Sequence, residues 1–561
     1  MSFANLKPSP FFQIYKHLLN SNQNNLSPME TQRTAEETSG ARSTHWIDSA
    51  PHRLPLSPLN SDITVDTCVI GAGIAGLSTA YFLSKQGQKV AVLDDGYICS
   101  GETGRTTGYL TWVIDDGLTN IINFFGNEGA VLHVNSHRTA VDIVERIVRE
   151  ENINCEFKRV PGYWVSRKPK GEQSGHPDKE ISEELEAMHN VGMTEAFLVD
   201  RPPYHVDDGK CIQIPNQGQF HSVAYCYGLA QSIINNGSNV YINSKASDYN
   251  KDNKKKPWVK TEAGYTVNCD KIVMATNVPL QFLTTIAKME PHRTYVVAGE
   301  VPKGKYEWCI FQDDSMRHNK PYKYGRFTSL SETSDLLLVG GEDHKVGFET
   351  NFDERYEALE KWTSERYPDI KFTYRWSGQV EEPADHVAFI GLDPGFRDVY
   401  IITGDSGLGL THGTLGAKLV SDLILGIPNP WRDLYDPNRF KLKSAPELIK
   451  HLCEINLKYK DYFKGSDVPD IEDIIPGEGA IICKGIHHYA VYKDESGKCH
   501  ATSAVCPHLK GLVRWNTSEK SWDCPVHGSR FDKLGKPING PAKTNLSEVN
   551  IEELVKKQKK A

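Results

Sequence analysis

The chain has 561 residues, more than one ordinary hydrophobic core can serve, so we expect two or more domains. No stretch approaches the roughly 18 to 20 uninterrupted apolar residues that a membrane-spanning helix needs. With a formal net charge of −8, the chain also lacks the broad basic field that a nucleic-acid-binding protein requires.

Twelve cysteines are too few for a disulfide scaffold in a chain of this length. Most of them stand in hydrophobic surroundings, which is typical of buried thiols in a reducing compartment. We therefore expect a cytoplasmic protein. A mitochondrial location is the alternative, because the first 29 residues contain no acid, although they also contain no arginine.

Polar sequence rich in Ser, Thr, Asn and Pro occupies residues 1–60. It predicts a flexible segment on the surface, with one candidate anchor at Trp46-Ile47. Order is expected from Asp66 onward, where short β-branched runs begin to alternate with helical patterns. Four of these runs predict buried parallel strands: residues 66–70, 89–93, 271–275 and 399–403.

Because these four runs are far apart in the chain, we expect a discontinuous α/β domain of the Rossmann type. Two intervening stretches are richer in aromatic residues and alternating strand patterns, and they predict an antiparallel sheet that forms a substrate domain. Residues 429–465 then predict a helical connector, residues 466–552 a small all-β domain and residues 553–561 a basic tail. Within residues 61–428, the α/β parts are about 61–150, 216–284 and 381–428, and the antiparallel parts about 151–215 and 285–380.

The first strand runs directly into a G-x-G-x-x-G motif at the start of a helix. Its glycines permit a tight turn, a close approach of the backbone to a pyrophosphate and close packing of the helix on the strand. The next strand ends in Asp94, which can accept hydrogen bonds from ribose hydroxyls. The sequence therefore predicts a dinucleotide site formed by Gly71, Ala72, Gly73, Ala75, Gly76 and Asp94.

Two later segments favour FAD over NAD. Residues 101–108 form a loop of small residues in which Arg105 and Thr106 can reach the pyrophosphate and the flavin edge. A second loop precedes a helix near residue 410, where Gly407, Leu408 and Thr411 can direct backbone N–H groups at the flavin ring.

These motifs resemble those of the D-amino-acid oxidase/glycine oxidase superfamily of FAD-dependent oxidoreductases, over about residues 60–428. Further matching pieces are Met274-Ala275-Thr276-Asn277 and the segment from Trp376 to Asp385. The resemblance implies an enzyme that oxidises a small organic molecule. We expect non-covalent FAD, because the loop at 101–108 has no histidine and Cys99 is interpreted as a buried structural thiol.

The C-terminal domain contains two pairs of ligand-type residues, Cys506 with His508 and Cys524 with His527. A Rieske [2Fe–2S] cluster needs two thiolates on one iron and two imidazoles on the other, and these pairs supply one of each from each loop. Zinc is the alternative metal for a Cys₂His₂ set. The flanking residues 528–532 and 540–542 also resemble Rieske loops, which favours the cluster.

Two departures from the Rieske pattern concern the reduction potential. Gly511 and Val526 stand where respiratory Rieske proteins carry a disulfide, and Phe531 stands where a tyrosine is frequent, while Ser529 is retained. Fewer hydrogen bonds to the sulfurs lower the potential. We expect a value in the lower part of the Rieske range of roughly −150 to +300 mV.

Together the motifs predict an oxidoreductase in which an organic donor reduces FAD and the cluster passes electrons to an acceptor protein or to oxygen. The resemblance favours oxidation of a C–N bond in an amine, an amino acid or an alkaloid-like metabolite. An NAD(P)H-linked reductase serving an oxygenase is the alternative, although only one G-x-G-x-x-G is present. The candidate catalytic residues are Arg293, Tyr295, His386 and His412, with Arg375 and Trp376 as further candidates near the substrate.

Overall fold

The computed structural model describes residues 39–50, 54–165, 177–203, 210–279, 285–313 and 322–552. Within these residues the α-helices, in chain order, are α1 (His45–Asp48), α2 (Ile74–Lys85), α3 (Leu118–Glu150), α4 (Pro177–Asn190), α5 (Ser222–Asn235), α6 (Asp353–Arg366), α7 (Gly409–Leu425), α8 (Arg432–Tyr435) and α9 (Ala445–Lys458). Short 3-10 helices cover Glu102–Arg105, Ile286–Lys288, Leu442–Ser444, Tyr459–Phe463 and Ile471–Asp473.

The β-strands of the same residues are β1 (Ile63–Thr64), β2 (Thr67–Ile70), β3 (Val90–Leu93), β4 (Tyr109–Leu110), β5 (Lys158–Val165), β6 (Phe197–Val199), β7 (Cys211–Gln219), β8 (Asn239–Tyr241), β9 (Ala246–Tyr249), β10 (Trp258–Thr261), β11 (Thr266–Asn268), β12 (Lys271–Met274), β13 (Met289–Pro302), β14 (Ile310–Asp313), β15 (Lys323–Ser329), β16 (Ser334–Lys345), β17 (Lys371–Pro383), β18 (Phe389–Leu392), β19 (Val399–Thr403), β20 (Glu478–Lys484), β21 (His487–Lys493), β22 (Cys499–Ser503), β23 (Arg514–Asn516), β24 (Ser521–Asp523), β25 (Arg530–Asp532) and β26 (Pro537–Asn539).

The α/β domain is built on a six-stranded sheet in the order β18-β19-β12-β2-β3-β8. All neighbours are parallel except β18 and β19. Strands β2, β3 and β19 are buried along their whole length, because α2, α5 and α7 form a layer on one face and a four-stranded sheet of β1, β9, β10 and β11 packs near the other. The four predicted parallel strands and their discontinuous assembly are confirmed.

A second layer is a nine-stranded sheet in the order β17-β13-β16-β15-β14-β5-β7-β4, with β6 paired to β7. Its only parallel pair among the described strands is β14 with β5. The outer face carries a hydrophobic cluster under α6, which includes Tyr295, Leu337 and Tyr356. The predicted antiparallel sheet is therefore confirmed.

The C-terminal domain has two antiparallel sheets, β20-β21-β22 and β23-β24-β25-β26. Helices α8 and α9 and the 3-10 helix Tyr459–Phe463 connect it to the α/β domain. The predicted fold class, a Rossmann-like α/β domain with an antiparallel sheet domain and a small all-β domain, is confirmed. None of the described helices is long and apolar enough to cross a membrane.

Residues 39–50 correct the prediction of a segment lying loosely on the surface. Helix α1 is capped by Thr44, and Trp46 is fully buried with its indole N–H donating to the Thr106 carbonyl at 2.6 Å. The Thr44 hydroxyl also donates to the Gly104 carbonyl at 2.7 Å. The anchor anticipated at Trp46-Ile47 thus holds the loop at 101–108. The part of the predicted segment before residue 39, and the basic tail, lie outside the described residues.

Candidate active site

The turn between β2 and α2 has the geometry that a dinucleotide site needs. Gly71 has φ of +109°, and a Cβ there would lie 2.3 Å from the Ala275 carbonyl oxygen. A Cβ on Gly76 would lie 1.9 Å from the Gly71 carbonyl oxygen, so the helix can approach the strand only with glycine at this position. Gly73 caps α2 without a side-chain hydrogen bond of its own, and beyond the Ile74 N–H, which donates to the Thr103 hydroxyl, the first-turn N–H groups of the helix can face a phosphate.

Asp94 follows β3 and lies against this turn. Its Oδ2 accepts a hydrogen bond from the Ala72 N–H at 2.6 Å, and its Oδ1 accepts one from the Gly96 N–H at 2.9 Å. Burial raises the pKa of the carboxyl group to about 6, with a smaller contribution from Asp95. The side chain faces the cavity next to the turn, where a ribose would lie.

The cavity extends from this turn, between the α/β layer and the nine-stranded sheet. Of the predicted cofactor residues, those that line it are Gly71, Gly73, Ala75, Asp94, Arg105, Thr106 and Gly407. Ala72 contributes its N–H to Asp94, and Gly76 contributes the close helix contact. Leu408 and Thr411 are buried in the core instead, and the Thr411 hydroxyl donates to the Thr111 carbonyl at 3.2 Å. Gly409 and Leu410, at the first turn of α7, line the cavity in their place.

Arg105 lines the cavity and its predicted contact with the pyrophosphate stays a prediction, while its guanidinium also has partners within the protein. Its Nε donates to the Ser377 carbonyl at 2.6 Å, and its Nη2 lies 3.8 Å from Glu519 of the C-terminal domain. Thr103, which the sequence reasoning did not single out, also faces the turn: its hydroxyl accepts a hydrogen bond from the Ile74 N–H at 3.2 Å.

Arg293 and Tyr295 do not line the cavity, which corrects their predicted catalytic role. Arg293 is fully buried, donates from Nε to the Ser377 hydroxyl at 2.8 Å and pairs with Glu519. Tyr295 is hydrogen-bonded to His344 at 2.9 Å and packs on Tyr356. Because side chains alternate along a strand, the residue between them faces the cavity instead, and that residue is Thr294.

His386, Arg375 and Trp376 also have structural partners away from the cavity, which corrects the expectation that they face a substrate. His386 pairs with Asp116 at 3.0 Å. Arg375 donates to Glu360 through Nε at 2.6 Å and through Nη2 at 2.7 Å. The Trp376 indole N–H donates to the Arg105 carbonyl at 2.8 Å.

His412 is the predicted catalytic residue that does line the cavity. Its Nδ1 is hydrogen-bonded to the Asp405 carbonyl at 2.8 Å, so this nitrogen carries the proton and Nε2 is left as an acceptor. Burial lowers the pKa of the imidazole to about 4, which keeps the ring neutral.

One part of the cavity wall was missed by the sequence reasoning. Thr294 on β13, Tyr322 and Tyr324 at β15 and Asp343 on β16 line the side formed by the nine-stranded sheet. The available signal was strand alternation, which assigns Thr294 to the face opposite its neighbours. Asp343 gave no such signal, because β13 and β16 shift register beside it, between Arg293 and Tyr295.

The C-terminal domain brings the two predicted ligand pairs together. Cys506 and Cys524 are buried and their thiols hydrogen bond to each other, which holds the pKa of Cys506 below its usual value. The rings of His508 and His527 have centroids 5.2 Å apart. His527 Nδ1 is buried without a hydrogen-bond partner among the described residues, and burial lowers the pKa of this imidazole to about 3. Paired sulfurs and neutral imidazoles fit a Rieske cluster.

The two ligand loops meet without a disulfide. All twelve cysteines lie within the described residues, and none is paired. A Cβ on Gly511 would lie 2.4 Å from Val526, so these two positions face each other where a disulfide would otherwise join the loops. Tyrosines of the connector hold the first loop instead: the Tyr459 and Tyr462 hydroxyls donate to the carbonyls of Leu509 at 2.6 Å and Lys510 at 2.7 Å.

The cavity and the ligand loops share a wall. Ile538, Asn539 and Gly540 of the C-terminal domain line the cavity, and Asn539 donates to Glu102 at 3.2 Å. From the other side, Gln379 lines the cavity and donates through Nε2 to the carbonyl of Gly528, the residue after His527, at 3.2 Å.

Comparison with known proteins agrees with this arrangement. A model of the FAD dependent oxidoreductase family matches residues 66–423, and a model of the Rieske [2Fe-2S] domain matches residues 467–551. The putative Rieske 2Fe-2S iron-sulfur protein YhfW of Bacillus subtilis is 30% identical over 532 residues, which are 93% of this chain and 100% of that protein. Gamma-glutamylputrescine oxidoreductase of Escherichia coli is 25% identical over 403 residues, 68% of this chain and 89% of the enzyme.

Solved structures with the same fold cover the larger part of the chain. Glycine oxidase from Geobacillus kaustophilus aligns with a TM-score of 0.56 at 16% identity, over 67% of this chain and 99% of that one. L-proline dehydrogenase from P. horikoshii aligns with a TM-score of 0.53 at 18% identity, over 68% and 98% of the two chains. At these identities the likeness shows the fold alone.

Proposed function

Because the chain belongs to the family of FAD-dependent oxidoreductases and carries a C-terminal Rieske domain with a [2Fe–2S] cluster, we propose that it oxidises a C–N bond and sends the electrons through that cluster. FAD supplies two-electron acceptance from the donor, and the cluster supplies one-electron transfer to an acceptor protein or to oxygen. Gamma-glutamylputrescine oxidoreductase, which acts on a C–N compound by name, supports the choice of bond.

The wall shared by the cavity and the ligand loops carries the proposal. Gln379 faces the cavity with part of its side chain and hydrogen bonds to Gly528 beside the ligand His527. Asn539 belongs to the Rieske domain and yet lines the cofactor cavity. An enzyme that used the two centres independently would have no need for this contact.

The chain's own residues prepare the cavity for this chemistry. The first turn of α7 directs its unpaired N–H groups and positive dipole end at the cavity, which stabilises negative charge there. Neutral His412 belongs to the same turn with its ring packed against His137, so it adds no charge to the cavity. Twelve unpaired cysteines support a reducing compartment, and we propose the cytoplasm.

The deciding experiment is anaerobic bleaching of the flavin in the purified holoenzyme, followed by EPR of the cluster. Amines, amino acids, alcohols and NADPH are offered separately. We expect bleaching by a C–N compound and a reduced-cluster signal that follows it. Bleaching by NADPH alone would favour the reductase alternative, and bleaching without a cluster signal would remove the internal electron path.

Two cysteine variants sharpen this experiment. Cys524→Ser removes a cluster ligand, so we expect the flavin to bleach without any EPR signal. Cys483→Ser changes a half-buried thiol in β20 that is not a cluster ligand, and should leave both signals unchanged.

A further inference from the structure

The cavity wall formed by the nine-stranded sheet carries an acid that has no assigned part in binding either cofactor. Asp343 on β16 lines the cavity, and its Oδ1 is buried without a hydrogen-bond partner among the described residues. Burying a carboxylate oxygen without a hydrogen-bond partner costs free energy. A cation or a hydrogen-bond donor in the neighbouring space reduces that cost.

The charge of the neighbouring Lys323 is already paired with another carboxylate. Lys323 Nζ lies 2.5 Å from Glu342 Oε1, so its charge is paired within the sheet. Asp343 is therefore left with the Thr294 hydroxyl as its polar neighbour, and that hydroxyl is itself bonded to the Tyr324 hydroxyl at 3.0 Å.

Tyrosine rings surround the same space. Tyr322 and Tyr324 have ring centroids 5.3 Å apart, and Tyr109 lies 6.0 Å from Tyr324. The Tyr322 hydroxyl donates to Asp115 at 2.9 Å, which adds a second carboxylate to the group. Carboxylates beside aromatic faces attract an ammonium group through direct charge pairing and through cation–π interaction.

The cationic side chains on the cavity wall are paired with other protein groups. Among the described lining residues, Arg105 is bound to Ser377 and Glu519, and Lys245 lies 2.9 Å from Glu262. Neither is placed to hold a substrate carboxylate beside Asp343.

We propose that Asp343 binds the ammonium group of the substrate, and that the substrate is a cationic amine rather than an α-amino acid. Tyr322 and Tyr324 form the walls of this ammonium subsite, and Thr294 orients the carboxylate. The inference rests on the proposed oxidation of a C–N bond and narrows its substrate class.

The test uses three ligands that share a tert-butyl group and differ in charge: tert-butylamine, tert-butanol and pivalate. tert-Butylamine has no hydrogen on the carbon that bears nitrogen, so it binds without being oxidised to an imine. Each ligand is titrated into oxidised holoenzyme, and the perturbation of the flavin absorbance gives its dissociation constant. We expect the protonated amine to bind more tightly than the alcohol and pivalate to bind least.

Asp343→Asn keeps the shape of the side chain and removes its charge. We expect the dissociation constant of tert-butylamine to rise about ten-fold, as for loss of a charge-assisted hydrogen bond, with that of tert-butanol unchanged. The exposed Asp353→Asn on α6 is the matched control and should change neither value.

Unchanged amine affinity in Asp343→Asn, or tighter binding of pivalate than of the amine, would overturn the subsite. The proposed function is judged separately by bleaching. If no C–N compound bleaches the flavin while tert-butylamine still binds through Asp343, the subsite stands and the oxidation proposal fails.

Discussion

Glu519 of the Rieske domain lies with Oε2 3.2 Å from Nη2 of Arg293 on β13, and both side chains are 1% exposed. Arg105 and Arg530 also face this carboxylate, at 3.8 and 4.0 Å, and the Ser377 hydroxyl donates to it at 2.5 Å. Glu519 is thus the centre of a buried contact between the two domains, and the part of Arg293 in this contact accounts for its absence from the cavity wall.

Glu519→Gln is expected to destabilise the docking of the Rieske domain, because three buried guanidinium groups lose their common counter-charge. Removing one partner of a buried ion pair lowers the free energy of unfolding by about 3–5 kcal/mol. Thermal unfolding followed by circular dichroism and by cluster absorbance should show an earlier loss of the cluster. The exposed Glu472→Gln gives the matched control, and an unfolding curve of Glu519→Gln that overlays the wild type would contradict the prediction.

The contrast between Arg293 and Thr294 shows which features the sequence can predict. The glycine turn at Gly71 and the ligand pairs of the Rieske loops depend on residues close together in the chain, so spacing alone predicts them. The partner of Arg293 is Glu519, more than two hundred residues later, and no local pattern links the two. The contact of Arg105 with the same carboxylate escapes prediction from sequence for the same reason.

Asn539→Ala is expected to weaken FAD binding, although Asn539 belongs to the Rieske domain. Its amide donates to Glu102 at 3.2 Å and so fixes the part of the cavity wall that the Rieske domain contributes. A hydrogen bond to a charged group contributes about 1.5–3 kcal/mol, and because this one joins two protein residues only part of that free energy reaches FAD binding, so we expect the dissociation constant of FAD to rise by up to about ten-fold. Flavin fluorescence after stepwise dilution measures it. Asn545→Ala, at an exposed position of the same domain, should retain FAD like the wild type.

Tyr459→Phe is expected to loosen the first ligand loop, because it removes the donor to the Leu509 carbonyl. With no disulfide between the loops, this hydrogen bond is one of the two from the connector that hold the loop. Its loss costs about 0.5–1.5 kcal/mol, which corresponds to a cluster loss several-fold faster. Bleaching of the cluster absorbance in the presence of a chelator gives the rate. Tyr489→Phe in β21 is the control. Equal rates of cluster loss in the two variants would show that the Tyr459 hydrogen bond does not hold the loop.

The cluster should have a reduction potential in the lower part of the Rieske range of roughly −150 to +300 mV. Phe531 is fully buried and offers no hydroxyl to the cluster, while Ser529 retains its hydrogen bond to Cys506. Fewer donors to the sulfurs leave the oxidised state favoured. An EPR-monitored redox titration measures the value, and a result near the upper end of the range would contradict the prediction.

Amine binding should weaken below about pH 6, because burial raises the pKa of Asp343 to about 6, outweighing the lowering by Thr294, His292 and Lys323, while Glu342 raises it further. The direction of this pH dependence follows from the charge state of Asp343 that binds the ammonium group. Above this pKa the carboxylate is ionised and pairs with the ammonium group; as the pH falls through the pKa the carboxyl is protonated and the pairing is lost.

Two other carboxyl groups of the cavity titrate in the same range, because burial raises the pKa of Asp94 to about 6 and that of Asp405 to about 7, so the Asp343→Asn variant is what assigns the titration to Asp343. Lys323 is paired with Glu342, and Tyr322 and Tyr324 have raised pKa values through burial, so they stay neutral. The dissociation constant of tert-butylamine, measured between pH 5 and pH 8, should therefore rise toward low pH in the wild type and in Asp353→Asn. In Asp343→Asn the profile should be flat over this range, and a remaining dependence with the same midpoint would assign the titration to another group.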